Sequence, residues 1–480
     1  MKIPLATKSD ELNASEVSSE RLVNWFAEPG GKTGVSLNPT PGLSLFSTLI
    51  PPEGSGVRAM YTTATGRLFV IAGNRCWELD TDGSIKRVIT NVFTNSGPIG
   101  MTDNGTQLFI SEPDTAQGIC ILLSDNSGHT ITGFNGGLVT YHDGYFIANT
   151  PGTQLFQISA LNNGQSWSAF DTKTADGSTD ELLRIIKNGS DLWMFGARST
   201  ECWYNSGNSF PMSLIQGSES NIGTIANKET SVAVTQIHNK VFWVSASGEG
   251  KGIVYMNEGY VPVRISTYAI EEAMAKMTDV TDVVVWAYQS RGHIFVMLNF
   301  STDEQTWCYD LTTGLWHERS FFNAEEGILD PTERHRGQCQ AFFNGKNYVG
   351  DYELNLIYEL SDTTYTDNGE IIQRICETPT IHADRKRVFF PNVELDLERG
   401  VGLTSGQGSD PQISLEVSND AGKTWGPEDW KSAGKLGEYE TRVKWNRLGS
   451  ARSRSFRFTV SDPVEWVLIA AYSDVKVGNG

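Results

Sequence analysis

Two short patterns in the sequence place residue types that could do chemistry at close spacing. His317-Glu318 begins like a zinc-binding helix motif, but the second histidine that completes such a site does not follow. Asp80 and Asp82, followed by Gly83, begin like a calcium-binding loop, although the later acidic ligand is missing and a plain turn fits better. The sequence contains neither a Gly-x-Ser-x-Gly nucleophile elbow nor a phosphate-binding loop. We therefore predict no catalytic residue, no metal site and no cofactor.

A third pattern, residues 418–425, resembles the Asp-box Ser-x-Asp-x-Gly-x-Thr-Trp of sialidases and other propellers. In families that carry this box, the Asp caps a hairpin turn, the Gly takes a positive φ and the Trp packs beneath. We therefore expect a structural role for its four matching residues, Ser418, Asp420, Gly422 and Trp425. A sialidase would also need an arginine cluster, a Tyr nucleophile with a Glu partner, and an acid Asp. The sequence gives no positive sign of such a set. A propeller-type tail protein that binds or cleaves glycans is kept as the alternative function.

A basic stretch at residues 442–458 stands out in an otherwise acidic chain. It carries six cations with aromatic residues between them, and its candidate contact residues are Lys444, Trp445, Arg447, Arg452 and Arg454. Three interpretations stay open, namely a solvated strand-turn-strand, a nucleic-acid patch, or a docking surface for an acidic protein. Alternation from Ser455 to Val460 turns the phenylalanines inward and Arg457 outward, which favours core aromatics over base-stacking platforms. Docking and plain surface are therefore favoured over nucleic-acid binding.

The overall charge limits the possible partners. With 38 Lys and Arg against 57 Asp and Glu, the formal net charge is -19. A surface that binds DNA needs clustered cations to displace counterions, so an outer nucleic-acid surface is disfavoured. The charge fits either plain solubility or an acidic wall that repels DNA as it slides through a passage.

Cysteine usage and hydropathy indicate where the protein is made. The six cysteines include no Cys-x-x-Cys pair, which favours buried, reduced thiols over a disulfide framework or zinc site. The first twenty residues lack the apolar run of a secretory signal, and no stretch is long and apolar enough to span a membrane. We expect a soluble protein, synthesised in the cytoplasm, with no membrane-spanning segment.

A unit of aromatic-rich strands and polar turns recurs about seven times between residues 57 and 361. Its clearest copies contain Leu68-Phe69-Val70, Leu192-Trp193-Met194-Phe195 and Ile294-Phe295-Val296-Met297. Turn residues recur just before the second strand of each unit, as in His142-Asp143-Gly144 and Asn344-Gly345-Lys346. Repetition at this period predicts an all-β fold containing a β-propeller of about six or seven blades.

The flanking segments differ from the repeats. Residues 1–56 are rich in Ser, Asn, Pro and Gly and predict an extended N-terminal arm, with Trp25 and Phe26 packing onto another surface. Residues 57–361 form the propeller, and residues 362–480 show longer alternating strands that predict a C-terminal β-sandwich-like domain. Residues 267–277 carry a helical pattern and predict a loop insertion between two blades.

These features together resemble the packaged-DNA stabilisation family of short-tailed bacteriophages, the tail accessory factors also called tail hub or nozzle proteins. The resemblance rests on three segments taken in order with the blades between them. They are residues 21–28 with the Pro41-Gly42-Leu43 turn, the run Lys444-Trp445-Asn446-Arg447-Leu448-Gly449, and the strand from Arg452 to Phe458 with Asp462-Pro463-Val464. The likeness covers nearly the full length.

The resemblance implies a structural protein of the virion tail that is not an enzyme. It implies six copies in a ring below the portal and its adaptor, extending the channel, retaining packaged DNA and conducting it during ejection without sequence-specific binding. A tail needle or plug would close the ring, and tailspikes or fibres would attach around it. By the same comparison, contacts between subunits or with the adaptor are expected at Trp25, Phe26, Lys444, Trp445, Arg447, Arg452 and Arg454.

Overall fold

Apolar strands separated by tight polar turns fold into seven blades. A computed structural model describes residues 1–12, 18–30, 34–50, 56–89, 94–175, 177, 179–226, 231–246, 252–323, 333–384 and 386–478. In it each repeated unit is one sheet of antiparallel strands joined in chain order, which confirms the all-β propeller. The blade count lies at the upper end of the predicted range.

The strands of the blades follow the repeats closely. Blades 1 to 3 consist of Val57–Thr62, Leu68–Ala72, Arg75–Leu79 and Ile85–Ile89; Gly100–Asp103, Gln107–Glu112, Gln117–Leu122 and Gly128–Thr130; and Val139–His142, Tyr145–Asn149, Leu155–Ala160 and Asn163–Thr174. Blades 4 and 5 consist of Leu182–Asn188, Asp191–Gly196, Thr200–Asn205 and Met212–Leu214; and Val234–Ile237, Lys240–Ala246, Gly252–Glu258 and Val261–Arg264. Blades 6 and 7 are built on Val284–Ser290, His293–Phe300, Gln305–Asp310 and Leu315–Phe321; and Gly337–Phe343, Lys346–Asp351 and Leu356–Ser361.

The turn residues explain why these hairpins form. In blade 6, Arg291 and Gly292 have φ of 49° and 83°, and in blade 7, Asn344 and Gly345 have φ of 46° and 79°. Two adjacent residues with positive φ are the mark of a type I′ turn, whose twist matches that of the strands it joins.

The hydrophobic core of the propeller is divided among the spaces between blades. A separate cluster of buried apolar side chains fills each space, including the one between blade 7 and blade 1 that closes the ring. Trp193 of blade 4 and Trp243 of blade 5, for example, have ring centroids 6.1 Å apart. Each blade is therefore stabilised chiefly by its two neighbours.

The predicted helical insertion is present as the helix Tyr268–Lys276 between blades 5 and 6. Thr267 caps it by accepting a hydrogen bond from the Ile270 N–H, and Ile270 and Met274 are buried in the core between those blades. A one-turn 3₁₀ helix, Pro113–Thr115, joins two strands of blade 2.

The N-terminal segment closes the ring. Its strand Gly42–Thr48 pairs antiparallel with Leu356–Ser361 and supplies the fourth strand of blade 7, which the strands Thr366–Asp367 and Glu370–Ile371 extend. Gly42 lets the segment that follows Leu356–Ser361 pass close to this strand, since a Cβ at Gly42 would lie 2.4 Å from the Thr364 carbonyl oxygen. Propeller closure thus depends on hydrogen bonds between distant parts of the chain.

The C-terminal domain packs two sheets over one core. One sheet contains Lys2–Ile3, Trp25–Gly30, Gly34–Pro39, Leu468–Tyr472, Asn392–Leu397 and Val443–Asn446. The other contains Asp10–Glu11, Ser19–Val23, Arg374–Glu377, Ile381–His382, Ser453–Val460, Gln412–Ser418 and Asp429–Ser432, and it continues into blade 6, where Glu333–Arg334 also pairs. A small third sheet is formed by Val388–Phe389, Ser450–Ala451 and Lys476–Val477.

The predicted N-terminal arm is extended, but its strands are shared between both domains. The boundaries at residues 56 and 361 stay predictions, because strands from the arm take part in the sheets of the propeller and of the sandwich. Residues 51–55, at the predicted end of the arm, lie outside the described part of the chain.

Candidate functional site

The propeller and the sandwich are joined by one continuous sheet. Val23 of the strand Ser19–Val23 pairs parallel with Glu318 in the outer strand of blade 6. On its other edge the same strand pairs antiparallel with Arg374–Glu377 of the sandwich. Backbone hydrogen bonds therefore run across the domain junction, and the two domains are held in a fixed relation.

Asn24 fastens this junction at the point where the chain leaves the shared sheet. Its φ of 56° is a conformation that Asn tolerates better than most residues. The side-chain Nδ2 donates to the carbonyl oxygens of Ser320 and Gln373, each at 2.9 Å, and Oδ1 accepts from the Ser320 N–H at 3.0 Å. One side chain thus connects the N-terminal segment, blade 6 and the sandwich.

Ion pairs reinforce the same junction. The Arg21 guanidinium donates to both carboxylate oxygens of Glu318, with its Nε at 3.2 and 3.0 Å. Arg457 lies between Glu377, at 2.9 Å, and Glu416, at 3.3 Å. Burial raises the pKa of Glu377, while the positive charges of Arg457 and Arg21 oppose that increase. The Arg21–Glu318 pair reaches blade 6, whereas Arg457, Glu377 and Glu416 hold three neighbouring strands of the sandwich together.

Trp25 and Phe26, which were predicted to contact other subunits or the adaptor, are both buried within their own chain. Trp25 is fully buried in the sandwich core. Phe26 is buried between blades 6 and 7, with its ring centroid 5.0 Å from that of His293 and 5.3 Å from that of Phe295. Successive residues of a strand point to opposite faces, so the two aromatic rings anchor the arm in two different cores of its own chain.

Two residues of the basic stretch are likewise internal. The Trp445 ring is fully buried and its Nε1 donates to the Asp429 carbonyl oxygen at 2.7 Å. Arg454 is almost fully buried, donates to Asn419 Oδ1 and to the Leu448 carbonyl oxygen, and lies over the Phe390 ring. Both were predicted as contact residues, whereas in the single chain their polar groups form hydrogen bonds inside the sandwich.

The accessible cations lie around the small third sheet, which we call the basic sheet: Val388–Phe389, Ser450–Ala451 and Lys476–Val477. Arg452 is exposed directly after the edge strand Ser450–Ala451, and Arg447 is exposed in the turn before it, where its N–H donates to the Pro391 carbonyl oxygen. Lys444 is half-buried, 3.9 Å from Glu394, which already pairs with Arg442 at 2.6 Å. Among the described acidic residues, none forms an ion pair with Arg447 or Arg452.

The structure adds two residues to this surface that the sequence interpretation missed. Arg387, exposed at the start of one strand, donates to Ser450 Oγ at 3.2 Å, and Lys476 is exposed directly opposite Phe389. Phe389 and Val477 expose about half of their surfaces, at 45% and 51%. The adjacent Lys386-Arg387 pair was the available sequence signal, but its proximity to Arg452 depends on strand pairing over more than sixty residues.

The Asp-box forms a self-contained turn. Asp420 Oδ1 accepts from the Ser418 hydroxyl at 2.7 Å and from the Thr424 N–H at 2.9 Å, while Oδ2 accepts from the Thr424 hydroxyl. These bonds lower the pKa of Asp420 to about 2. Gly422 has a φ of 87°, and the Trp425 ring lies under the Arg457 guanidinium at 4.1 Å. The carboxylate is saturated by its own turn.

The other short motifs are also used structurally. Asp82 Oδ1 accepts from the Ser84 N–H and hydroxyl, so this segment is a plain turn. His317 is buried, which lowers its pKa, and Glu318 is held by Arg21. In the described residues no cluster of His, Cys, Asp and Glu has the arrangement of a metal site. Nor does any helix there have the length and apolar character needed to cross a bilayer.

Comparison with protein families gives two matches that follow each other along the chain. The family model described as bacteriophage P22 Gp10, beta-propeller, matches residues 1–365. The model described as bacteriophage P22 Gp10, beta-sandwich, matches residues 373–476. Both agree with the observed architecture and confirm the family resemblance. No protein with a curated description matches the chain in sequence.

Solved propellers resemble the chain only in general fold. A streptogramin B lyase structure is 11% identical, with a TM-score of 0.44 over 67% of this chain and 97% of the lyase. BamB from Moraxella catarrhalis is 9% identical, with a TM-score of 0.39 over 66% of this chain and 99% of that protein. At this similarity neither carries an argument about function.

Proposed function

This chain belongs to the bacteriophage P22 Gp10 family of phage tail structural proteins that stabilise packaged DNA, and from that membership we propose a closed ring that retains the genome. Six copies would form a hub below the portal and its adaptor and would extend their channel. A needle or plug would close this ring, and tailspikes or fibres would attach to its outside. The protein would act in the virion tail after synthesis in the host cytoplasm, as a structural element with no catalytic activity.

The observation that carries this proposal is the full-length family match on a chain whose two domains share one sheet. A component that resists the pressure of packaged DNA must transmit force between its contacts without bending. Pairing of Ser19–Val23 with both blade 6 and the sandwich supplies such a connection, because relative motion would break backbone hydrogen bonds.

Charge supports the conducting role. DNA is strongly anionic, and a ring assembled from chains of net charge -19 would present an acidic environment to it. Like-charge repulsion would keep the DNA from adhering to the wall, so that release of the plug would suffice for passage. Retention would then come from assembled protein filling the exit.

The test is to remove the protein from its phage. We expect particles assembled without it to lose their DNA, and purified protein added after packaging to restore nuclease-resistant DNA in the heads. Full, stable particles that fail only at host attachment would contradict the proposal and favour a receptor-binding or glycan-cleaving tail protein. Incubation of the purified protein with host envelope would then separate glycan binding from release of reducing sugar.

We further propose that the basic sheet docks onto an acidic surface of a neighbouring tail protein. Reversing Arg447 and Arg452 to Glu should lower incorporation into particles about tenfold or more, since two exposed cations would become repulsive. The melting temperature should stay unchanged because neither side chain has an ion-pair partner among the described residues.

The matched control is the double variant Lys423→Glu and Lys435→Glu, which reverses two exposed cations that have no ion-pair partner among the described residues, elsewhere on the same domain. Incorporation of the control should equal that of the parent. Normal particle assembly by the Arg447 and Arg452 double variant would refute the docking role.

A further inference from the structure

A cavity lies on the axis of the propeller, where the innermost strands of the seven blades converge. Its volume is about 620 Å³, within the range that small-molecule sites occupy. Its wall mixes apolar side chains, namely Val57, Ile99, Leu138, Val234 and Val284, with polar ones, among them Asp114, Asp282, Gln338 and Gln340. Blade 4 contributes Arg184.

Arg184 differs from the other arginine of the cavity wall. Arg58 donates to four backbone carbonyl oxygens, including those of Gly73 and Gly97, and forms an ion pair with the buried Glu112 at 2.9 Å. Among the described residues, no acceptor is hydrogen-bonded to the Arg184 guanidinium, and its Nε is buried. Burial without a counter-charge lowers the pKa of Arg184 to about 10. The wall therefore carries two cations, of which only Arg58 has acceptors among the described residues, together with the carboxylates of Asp114 and Asp282.

A second, independent donor lines the same cavity. Trp286 of blade 6 is 5% exposed, and no described residue accepts a hydrogen bond from its Nε1. A buried indole N–H normally has a partner, because leaving it unpaired costs free energy. Asp282 also lines the cavity; its Oδ2 accepts from the Thr302 N–H at 2.6 Å, and its buried Oδ1 has no donor among the described residues.

We propose that this axial cavity binds a small organic carboxylate, with its anionic group at Arg184 and its apolar body against the surrounding valines. A guanidinium pairs with a carboxylate through two parallel charge-assisted hydrogen bonds, which accounts for the choice of anion. The valines of the wall account for the organic body, because an inorganic anion would leave them facing water.

The proposal is tested with sodium hexanoate as the probe, titrated calorimetrically into the full-length protein at constant ionic strength. We expect saturable binding and a rise in melting temperature. Hexanamide, which has the same apolar body without the charge, and inorganic phosphate, which has charge without the body, should each bind at least about tenfold more weakly. Equal effects of hexanoate and phosphate would reduce the observation to a general salt effect and overturn the proposal.

Arg184→Met supplies the decisive variant. It should abolish measurable hexanoate binding while leaving the ligand-free protein at least as stable as the parent, because it removes a half-buried charge that has no hydrogen-bond partner among the described residues. Arg198→Met, an exposed arginine in the same blade, is the control and should bind hexanoate normally. Undiminished binding by Arg184→Met, or no binding by the parent at millimolar hexanoate, would overturn the assignment.

Discussion

Replacing Trp445 with alanine is expected to lower the free energy of unfolding of the sandwich by about 3–5 kcal/mol, the usual cost of truncating a buried aromatic residue. Trp445 is fully buried in the core shared by both sheets, with its ring centroid 5.9 Å from that of Phe458. Truncation would leave a cavity and would also leave the Asp429 carbonyl oxygen without its indole donor. Urea unfolding followed by circular dichroism measures the loss.

Trp430 provides the matched control, because it is 44% exposed on a strand of the same domain. Its Nε1 donates to the Glu428 carboxylate, an exposed contact that contributes little to stability. Trp430→Ala should change the free energy of unfolding by less than about 1 kcal/mol. Equal losses of unfolding free energy in the two variants would contradict the expectation that burial of the indole ring determines the loss. If Trp445→Ala instead caused a large assembly defect with unchanged stability, the result would support the predicted role of Trp445 as an interface residue.

Replacing Asp351 with alanine is expected to destabilise the closing blade of the propeller by about 3–5 kcal/mol, as is usual when a buried ion pair loses one member. Asp351 is fully buried and accepts from Nε and Nη2 of Arg336, each at 2.9 Å. It also accepts from the N–H groups of Glu353 and Leu354 and from the Tyr358 hydroxyl. Its removal leaves a buried guanidinium without its principal counter-charge.

The control is a second carboxylate that pairs with the same arginine. Glu353 pairs with Arg336 Nη1 at 3.0 Å, but its side chain is 63% exposed. Glu353→Ala should therefore cost no more than about 1 kcal/mol, the range of exposed ion pairs. Thermal unfolding of both variants at low and high salt distinguishes the cases, because salt weakens only the exposed pair appreciably. A cost for Asp351→Ala as small as that for Glu353→Ala would show that burial does not control this interaction.

The blades could be predicted from sequence because their determinants are local. Asn344-Gly345 and Arg291-Gly292 specify tight turns, and the aromatic strands on either side need only pair with each other. The helix at Tyr268–Lys276 is similarly local, with its cap in Thr267. Interactions of this kind join residues that are close in sequence, so they can be predicted without knowledge of the rest of the chain.

Long-range pairings could not be predicted in the same way. The strand Ser19–Val23 has two partners, the outer strand of blade 6 and Arg374–Glu377, and neither is encoded near it. The sequence therefore predicted that Trp25 and Phe26 pack onto another surface, whereas in the fold they are buried in two cores of their own chain. The basic sheet could be predicted only in part, because its three strands come from separate regions of the sequence.

The burial of Arg454 was predictable. Phe456 and Phe458 were placed inward by alternation along their strand, and the same two-residue period carries Arg454 to that face. Its charge favoured an outward assignment, but the side chain is accommodated by Asn419, the Leu448 carbonyl oxygen and the Phe390 ring. Periodicity was here a better guide than residue type.

The pairing of Gly42–Thr48 with Leu356–Ser361 gives the order of translation a direct influence on folding. A ribosome releases the first strand and reaches its partner more than 300 residues later, an interval of about 15–60 seconds at roughly 5–20 residues per second. Throughout that time the early strand has an open edge, which other nascent chains on a polysome could occupy. Closure of the propeller is therefore a late event, and factors that shield the waiting strand should determine the yield of correctly closed monomers.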